Sequence, residues 1–292
     1  MKYIEKHPMI MILVGVIGIS MSAILIRYST APSSVTASWR LLWTVIFMSP
    51  VVFGTKTCRK ELFSIDRRTA GLSIVSGIFL AIHFWFWFES LQLTSVASAS
   101  TIVSTEVIWV SIGFFLFLKG KLSWKAMAAI AVAFVGSGFV AFADSGSGGT
   151  HLKGDLFALL AAMAVAVYML IGRIVRAGVS TTVYTYLVYA ACAAGLLLTS
   201  VVQQQGLLDY GINGVLIGLA LAVFSTILGH SVFNWCLKYF SPSFVSASKL
   251  CEPVVAAILA GFLFGEVPGA LQLAGCVLIL GSVLYYSGLE DK

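Results

Sequence analysis

The stretch from Ser243 to Gly281, SFVSASKLCEPVVAAILAGFLFGEVPGALQLAGCVLILG, decides the fold class. It holds two long apolar runs, 243–264 and 269–287, parted by Gly265, Glu266, Val267 and Pro268. Each run exceeds the roughly 18 residues that separate a membrane span from a buried helix of a soluble protein. In hydrocarbon a helix satisfies all of its own backbone groups, so helical spans follow.

Working outward, the same punctuation by Pro, Gly and charge repeats along the chain. It predicts further helices over 8–28, 34–54, 71–90, 96–118, 123–142, 154–174, 182–202 and 212–236. The expected fold is therefore an all-α integral membrane protein of about ten transmembrane helices. Composition agrees: of 292 residues, 59% are hydrophobic and 10% charged, with mean hydropathy +0.99. Soluble domains carry about 25% charged residues. Little chain remains for a soluble domain. The apolar run after Lys2 and Lys6 has no clear small-residue cleavage site, so it reads as a retained first helix.

The net charge of +6 does not imply a nucleic-acid partner, because Lys and Arg fall in short loops rather than on one amphipathic face. One set of loops holds Lys56, Arg59, Lys60, Arg67, Arg68, Lys119, Lys121, Lys125, Arg173, Arg176 and Lys238; the other holds Arg27 and Lys153. This asymmetry predicts both termini on the cytoplasmic side. The five cysteines, Cys58, Cys192, Cys236, Cys251 and Cys276, lack metal-ligand spacing, so neither a metal, a cofactor nor a disulfide framework is expected.

The segment 143–153 has the Gly and Ser content of a flexible linker. It divides the chain into a first repeat, 1–145, and a second, 146–292. A shift of 146 positions pairs Arg27 with Arg173, Ser34 with Ser180, Thr36 with Thr182, Ser100 with Ser246 and Glu106 with Glu252. Five spans per half insert the second copy upside down, which predicts two inverted five-helix repeats.

Ala247, Glu252-Pro253, Leu263-Phe264-Gly265-Glu266 and the glycine-spaced run Gly275 to Gly281 give the chain its resemblance to the EamA branch of the drug/metabolite transporter superfamily. Ser95 to Ser100, Glu106, Gly120-Lys121 and Gly136 echo it in the first half, and Arg40 resembles the arginine common in the second span. Val107 stands where the family has proline after the glutamate, which predicts a weaker helix break there. Lys121 likewise departs from the usual Gly-Glu. The resemblance implies a ten-helix, inverted-repeat carrier in a bacterial cytoplasmic membrane, often an exporter of amino acids or other metabolites.

An ionisable side chain in hydrocarbon needs a partner, water or a purpose. Glu106, in span four, either attracts a substrate amine, holds a proton or is a structural carboxyl bonded to Ser, Thr or Arg40. Lys249 and Glu252, three residues apart, can neutralise one another on one helix face. Pro253 removes the usual donor to the Lys249 carbonyl, so a local helix break is the other reading. Arg40 can hold a carboxylate bidentately or act as a salt-bridge anchor. His83 and His230 occupy nearly matching repeat positions and read either as a proton relay or as packing groups, with Asn234 extending the face of His230. The run Phe84 to Phe88 reads as an interfacial aromatic belt, with Trp87 turned inward as a stacking surface.

These residues point to a secondary transporter that exports a small organic solute by alternating access, with lipid and solute as partners and proton coupling through Glu106 or Glu252 as one reading. The alternatives are an uncoupled facilitator and an intramembrane lipid-modifying enzyme. No metal motif, nucleophile and base pair or nucleotide loop supports an enzyme.

Overall fold

The computed structural model describes residues 8–93, 99, 102–144, 152–252, 254–255, 258 and 269–290. In chain order the helices are α1 (Pro8–Arg27), α2 (Ser33–Gly54), α3 (Lys56–Ser64), α4 (Arg67–Leu93), α5 (Glu106–Leu118), α6 (Trp124–Asp144), α7 (Leu152–Val175) and α8 (Thr181–Val202). Then follow α9 (Gly211–Leu221), a π-helical segment (Ala222–Ser231), α10 (Val232–Cys236), α11 (Pro242–Ser248), a 3-10 turn (Lys249–Cys251) and α12 (Ala270–Glu290). Among the described residues, six helices are long and apolar enough to cross a membrane: α1, α2, α4, α7, α8 and the run from Gly211 to Cys236. Apolar stretches of α5, α6 and α12 are shorter. The linker 145–151, the ninth-span residues 259–264 and Pro253 lie outside the described residues.

Sequence periodicity locates most ends to within a few residues, and local chemistry explains them. Ser180 caps α8 by accepting from Val183 N, and Ser241 caps α11 by accepting from Phe244 N, with Pro242 in the first turn where its missing donor costs nothing. Asp66 caps α4, its Oδ1 accepting from Arg68 N and Thr69 N at 3.0 Å each. The short helix α3 is not among the sequence expectations. It carries no buried residue, and its hold on the rest of the fold is Glu61, whose carboxylate accepts from Ser180 N (2.6 Å) and Ser180 Oγ (2.5 Å).

The helices pair across the two halves. α4 packs on α7, α1 packs on the π segment, α2 lies along α8, α5 meets α11, and α6 runs with α12. A shift of 146 positions exchanges the first two pairings and maps the α2 to α8 and α6 to α12 pairings each onto itself. Interdigitation at the α1 contact is backbone against backbone: a Cβ on Gly18 would fall 2.7 Å from Phe224 O and 2.8 Å from Gly229 N. The core formed this way buries Phe84, Phe88, Met169, Tyr184, Tyr189 and Phe244. Outward faces such as Phe115, Phe117, Val277 and Leu284 remain exposed, as surfaces in contact with lipid require.

Candidate functional site

Arg40 lies within α2 and is 1% exposed. Its Nε donates to Thr226 Oγ1 at 2.7 Å and its Nη1 to Ser22 Oγ at 3.5 Å, while its guanidinium carbon stands 4.2 Å from the centre of the Phe84 ring. A buried guanidinium is thus held by two hydroxyls and a π face. Thr226 reaches this position from the π segment, where its hydroxyl also donates to Leu221 O five residues back, and Ser231 repeats the pattern on Thr226 O. Such wide turns recur at functional sites because they shift side chains out of the α register. Arg40 therefore does not snorkel to the interface, and its neighbours are hydroxyls rather than a salt-bridging carboxylate.

The four intramembrane charges gather, but with different partners from those the spacing suggests. Lys249 Nζ lies 3.0 Å from Glu106 Oε1, so its ion pair is with span four and not with Glu252, three residues along its own chain. The reason is geometric: α11 packs on α5, and Ser246, one turn before Lys249, also donates to Glu106 Oε1 at 3.5 Å. Lys249 further contacts Met169 Sδ at 3.5 Å and lies 5.6 Å from the Phe233 ring centre. Glu252 is within electrostatic reach of Glu106, Lys249 and Arg40. Among the described residues it forms no ion pair of its own.

Both charged spans are broken beside their glutamate. In the second half the 3-10 turn Lys249–Cys251 ends on Glu252, whose N–H bonds the Lys249 carbonyl, the acceptor that Pro253 was expected to leave without its usual donor. In the first half Ser104 and Thr105 form a turn directly before α5. Thr105 N and Thr105 Oγ1 both bond Ile102 O, at 3.0 and 2.6 Å, and Ile108 N bonds Thr105 O at 2.9 Å. This break exists without a proline after Glu106. A threonine hydroxyl competing for a nearby carbonyl does the work instead.

His83 and His230 do come together, with ring centres 6.4 Å apart. Phe84 touches both, at 5.2 Å each, and Tyr168 lies 6.2 Å from His230. His83 Nδ1 donates to Ala161 O at 2.9 Å, which fixes its tautomer, since a carbonyl can only accept. Asn234 Nδ2 donates to Tyr168 Oη and to His230 O (2.8 Å), while Asn234 Oδ1 is buried without a hydrogen-bond partner. The aromatic run is not a belt: Phe84, Trp87 and Phe88 are buried, and Trp85 and Phe86 pack on Phe157 of α7. Trp87 sits in the core, and the ring that serves the charged centre is Phe84.

The sequence reading missed Phe84, Thr226, Tyr168, Met169 and Ser246 as site residues. Thr226 had the signal of a hydroxyl four residues before His230. A cavity of about 340 Å³ lined by Arg176, Ser180, Trp235, Lys238 and Tyr239 lies at the far end of α7, and includes none of the expected residues. Arg176 is spent there on Asn234 O (3.2 Å) and Val179 O.

A multi-pass helical membrane protein with charges gathered between broken spans belongs to the class of membrane transporters. Comparison with known proteins places it further. The model of the EamA-like transporter family matches residues 7–142 and again 152–288, and the chain belongs to that family. It is 27% identical over 238 residues to a "Probable amino-acid metabolite efflux pump" of Salmonella typhimurium, covering 76% of this chain and 79% of that one. It is 25% identical to an "S-adenosylmethionine uptake transporter" of Rickettsia bellii over 75% of this chain and 73% of that one. An "Uncharacterized transporter YxxF" of Bacillus subtilis is 22% identical over 88% and 82%. A solved crystal structure superposes with a TM-score of 0.80 at 16% identity over 98% of both chains, which shows the shared fold. Family and relatives are transporters, not enzymes.

Proposed function

We propose that this chain is a secondary transporter that exports small organic metabolites, amino acids or related compounds, across the bacterial cytoplasmic membrane by alternating access. Its ten spans form two inverted five-helix repeats, 1–145 and 146–292, with both termini in the cytoplasm. The observation that carries the reading is the Lys249 to Glu106 ion pair, which ties the two broken spans of opposite halves at their breaks. A pair that costs several kcal/mol to desolvate is well placed to open when a charged solute offers either member a new partner. The contact pattern that maps onto itself under a 146-residue shift supports the inverted duplication. Arg40, Glu106, Lys249 and Glu252 line the path, with His83, His230 and Asn234 beside it. Trp87, turned inward on α4 beside Phe84 and Phe88, is the candidate stacking surface.

The direction of flux follows the amino-acid metabolite relative; the S-adenosylmethionine relative is named for uptake, so a zwitterionic or cationic amino-acid derivative is the shared chemistry. The test is flux through purified protein in proteoliposomes, with labelled amino acids and small organic cations, with and without a proton gradient. Selective flux that E106Q abolishes in folded protein is the expected result. Chemical conversion of a lipid without net solute movement would instead support the enzyme.

A further inference from the structure

Lys249 has two carboxylates within its range and one ammonium to give. It reaches Glu106 across the α5 to α11 contact at 3.0 Å. It also opens the 3-10 turn that ends on Glu252, and in a 3-10 turn residues i and i+3 eclipse, so both side chains leave the backbone on one side. The other charge facing Glu252 is Arg40 of α2, whose guanidinium is committed to Thr226, Ser22 and the Phe84 ring. Lys249 is therefore given to Glu106, and Arg40 turns its donors to hydroxyls, so among the described residues Glu252 has no cation at ion-pair distance, in a place where an unpaired ionised carboxylate is costly.

We propose that Glu252 is a proton-binding site, and that the trio holds one exchangeable proton on whichever carboxylate Lys249 is not paired with. In the arrangement described, Lys249 holds Glu106 as a carboxylate and Glu252 carries the proton on its carboxyl oxygen. When Lys249 turns to Glu252, the Glu252 O–H bond breaks, a new O–H bond forms on Glu106, and the ammonium keeps its three protons. The proton passes from one carboxyl to the other, so the net charge of the centre, Arg40 included, is the same in both arrangements. This rests on the transport reading only for its use, as a way to carry a proton past a moving solute. It resolves the choice between Glu106 and Glu252 as coupling groups by making them alternates.

The test needs no cargo. Infrared spectra of the full chain in an alkyl maltoside detergent, which has no carbonyl of its own, report at neutral pH the carbonyl stretch of a protonated carboxyl. The wild-type band is expected to be lost in E252Q. It is also expected to be lost in E106Q, although Glu252 is intact there, because Lys249 then turns to Glu252 and displaces its proton. K249M leaves neither acid a cation at ion-pair distance, and the band is expected to grow. A band that persists in E252Q overturns the assignment to Glu252, and one that persists in folded E106Q overturns the exchange. Should E106Q fail to fold, K249M decides, since an unchanged band there refutes the sharing of one cation. Absence of flux through the wild-type protein in proteoliposomes, with these spectra as expected, would refute the transport reading and leave the proton site standing.

Discussion

At the scale of single residues, the centre of this protein depends on which side chain completes another's bonds. Arg40 is held by a short bond to Thr226 and a ring face, so T226V leaves a buried charged donor without its acceptor. That substitution is expected to lower unfolding free energy by about 1.5–3 kcal/mol, measured by thermal unfolding in detergent, while T226S keeps the bond and most of the stability. Outside the spans, the nearby Thr69 hydroxyl first, and then the backbone N–H groups of Thr69 and Arg68 that Asp66 accepts from, hold its carboxyl below the usual range. A depressed value means that the cap is fully formed above the ordinary aspartate pKa of about 4 and is lost as pH falls through the lowered one. Amide exchange at Arg68 and Thr69 should show protection vanishing in that acid window, and at every pH in D66A. Sequence showed that Arg40, Glu106, Lys249 and Glu252 matter, since charge in apolar runs is conspicuous. It did not show the pairing, because Lys249 and Glu106 are 143 positions apart and local spacing favoured Glu252.

At the scale of elements, the spans were legible and their interruptions were not. Apolar length and punctuation locate α2, α7 and α8 within a few residues of Ser33–Gly54, Leu152–Val175 and Thr181–Val202. Nothing in composition announces the π segment, whose register is set by hydroxyls bonding five residues back and by the close passage of α1. Gly18 makes that passage possible. G18A would drive a methyl into Phe224 O and Gly229 N, atoms of a backbone that cannot swing aside. The expected loss is about 1–3 kcal/mol, as for other overpacked contacts, read as a lower unfolding temperature, whereas G71A, where a Cβ meets open space, is expected to change it little. The helix α3 escaped notice for the opposite reason: it is polar and short, and a single carboxylate on Ser180 fastens it.

At the scale of the whole molecule, nearly every large contact joins one half to the other, including α4 with α7 and α6 with α12. Neither half is expected to fold alone. Residues 1–145 and 146–292 produced as separate chains in one cell should assemble into a species that elutes with the intact protein on size exclusion, and each produced alone should aggregate. A half that elutes alone as a single well-defined species would contradict this. The α2 and α8 pair shows why the seam is strong. It is pinned near one end by Ser34 to Gln205 and Ser38 to Ser200, towards the other by Ser49 to Tyr186, and beyond by Glu61 to Ser180. In mechanical terms a pair fastened at both ends is a fulcrum. If the proposed alternating access turns the halves about it, nearby atoms move least and distant ones most, so the longest stroke falls to helices far from this axle, and a probe pair placed along it is expected to register almost no travel.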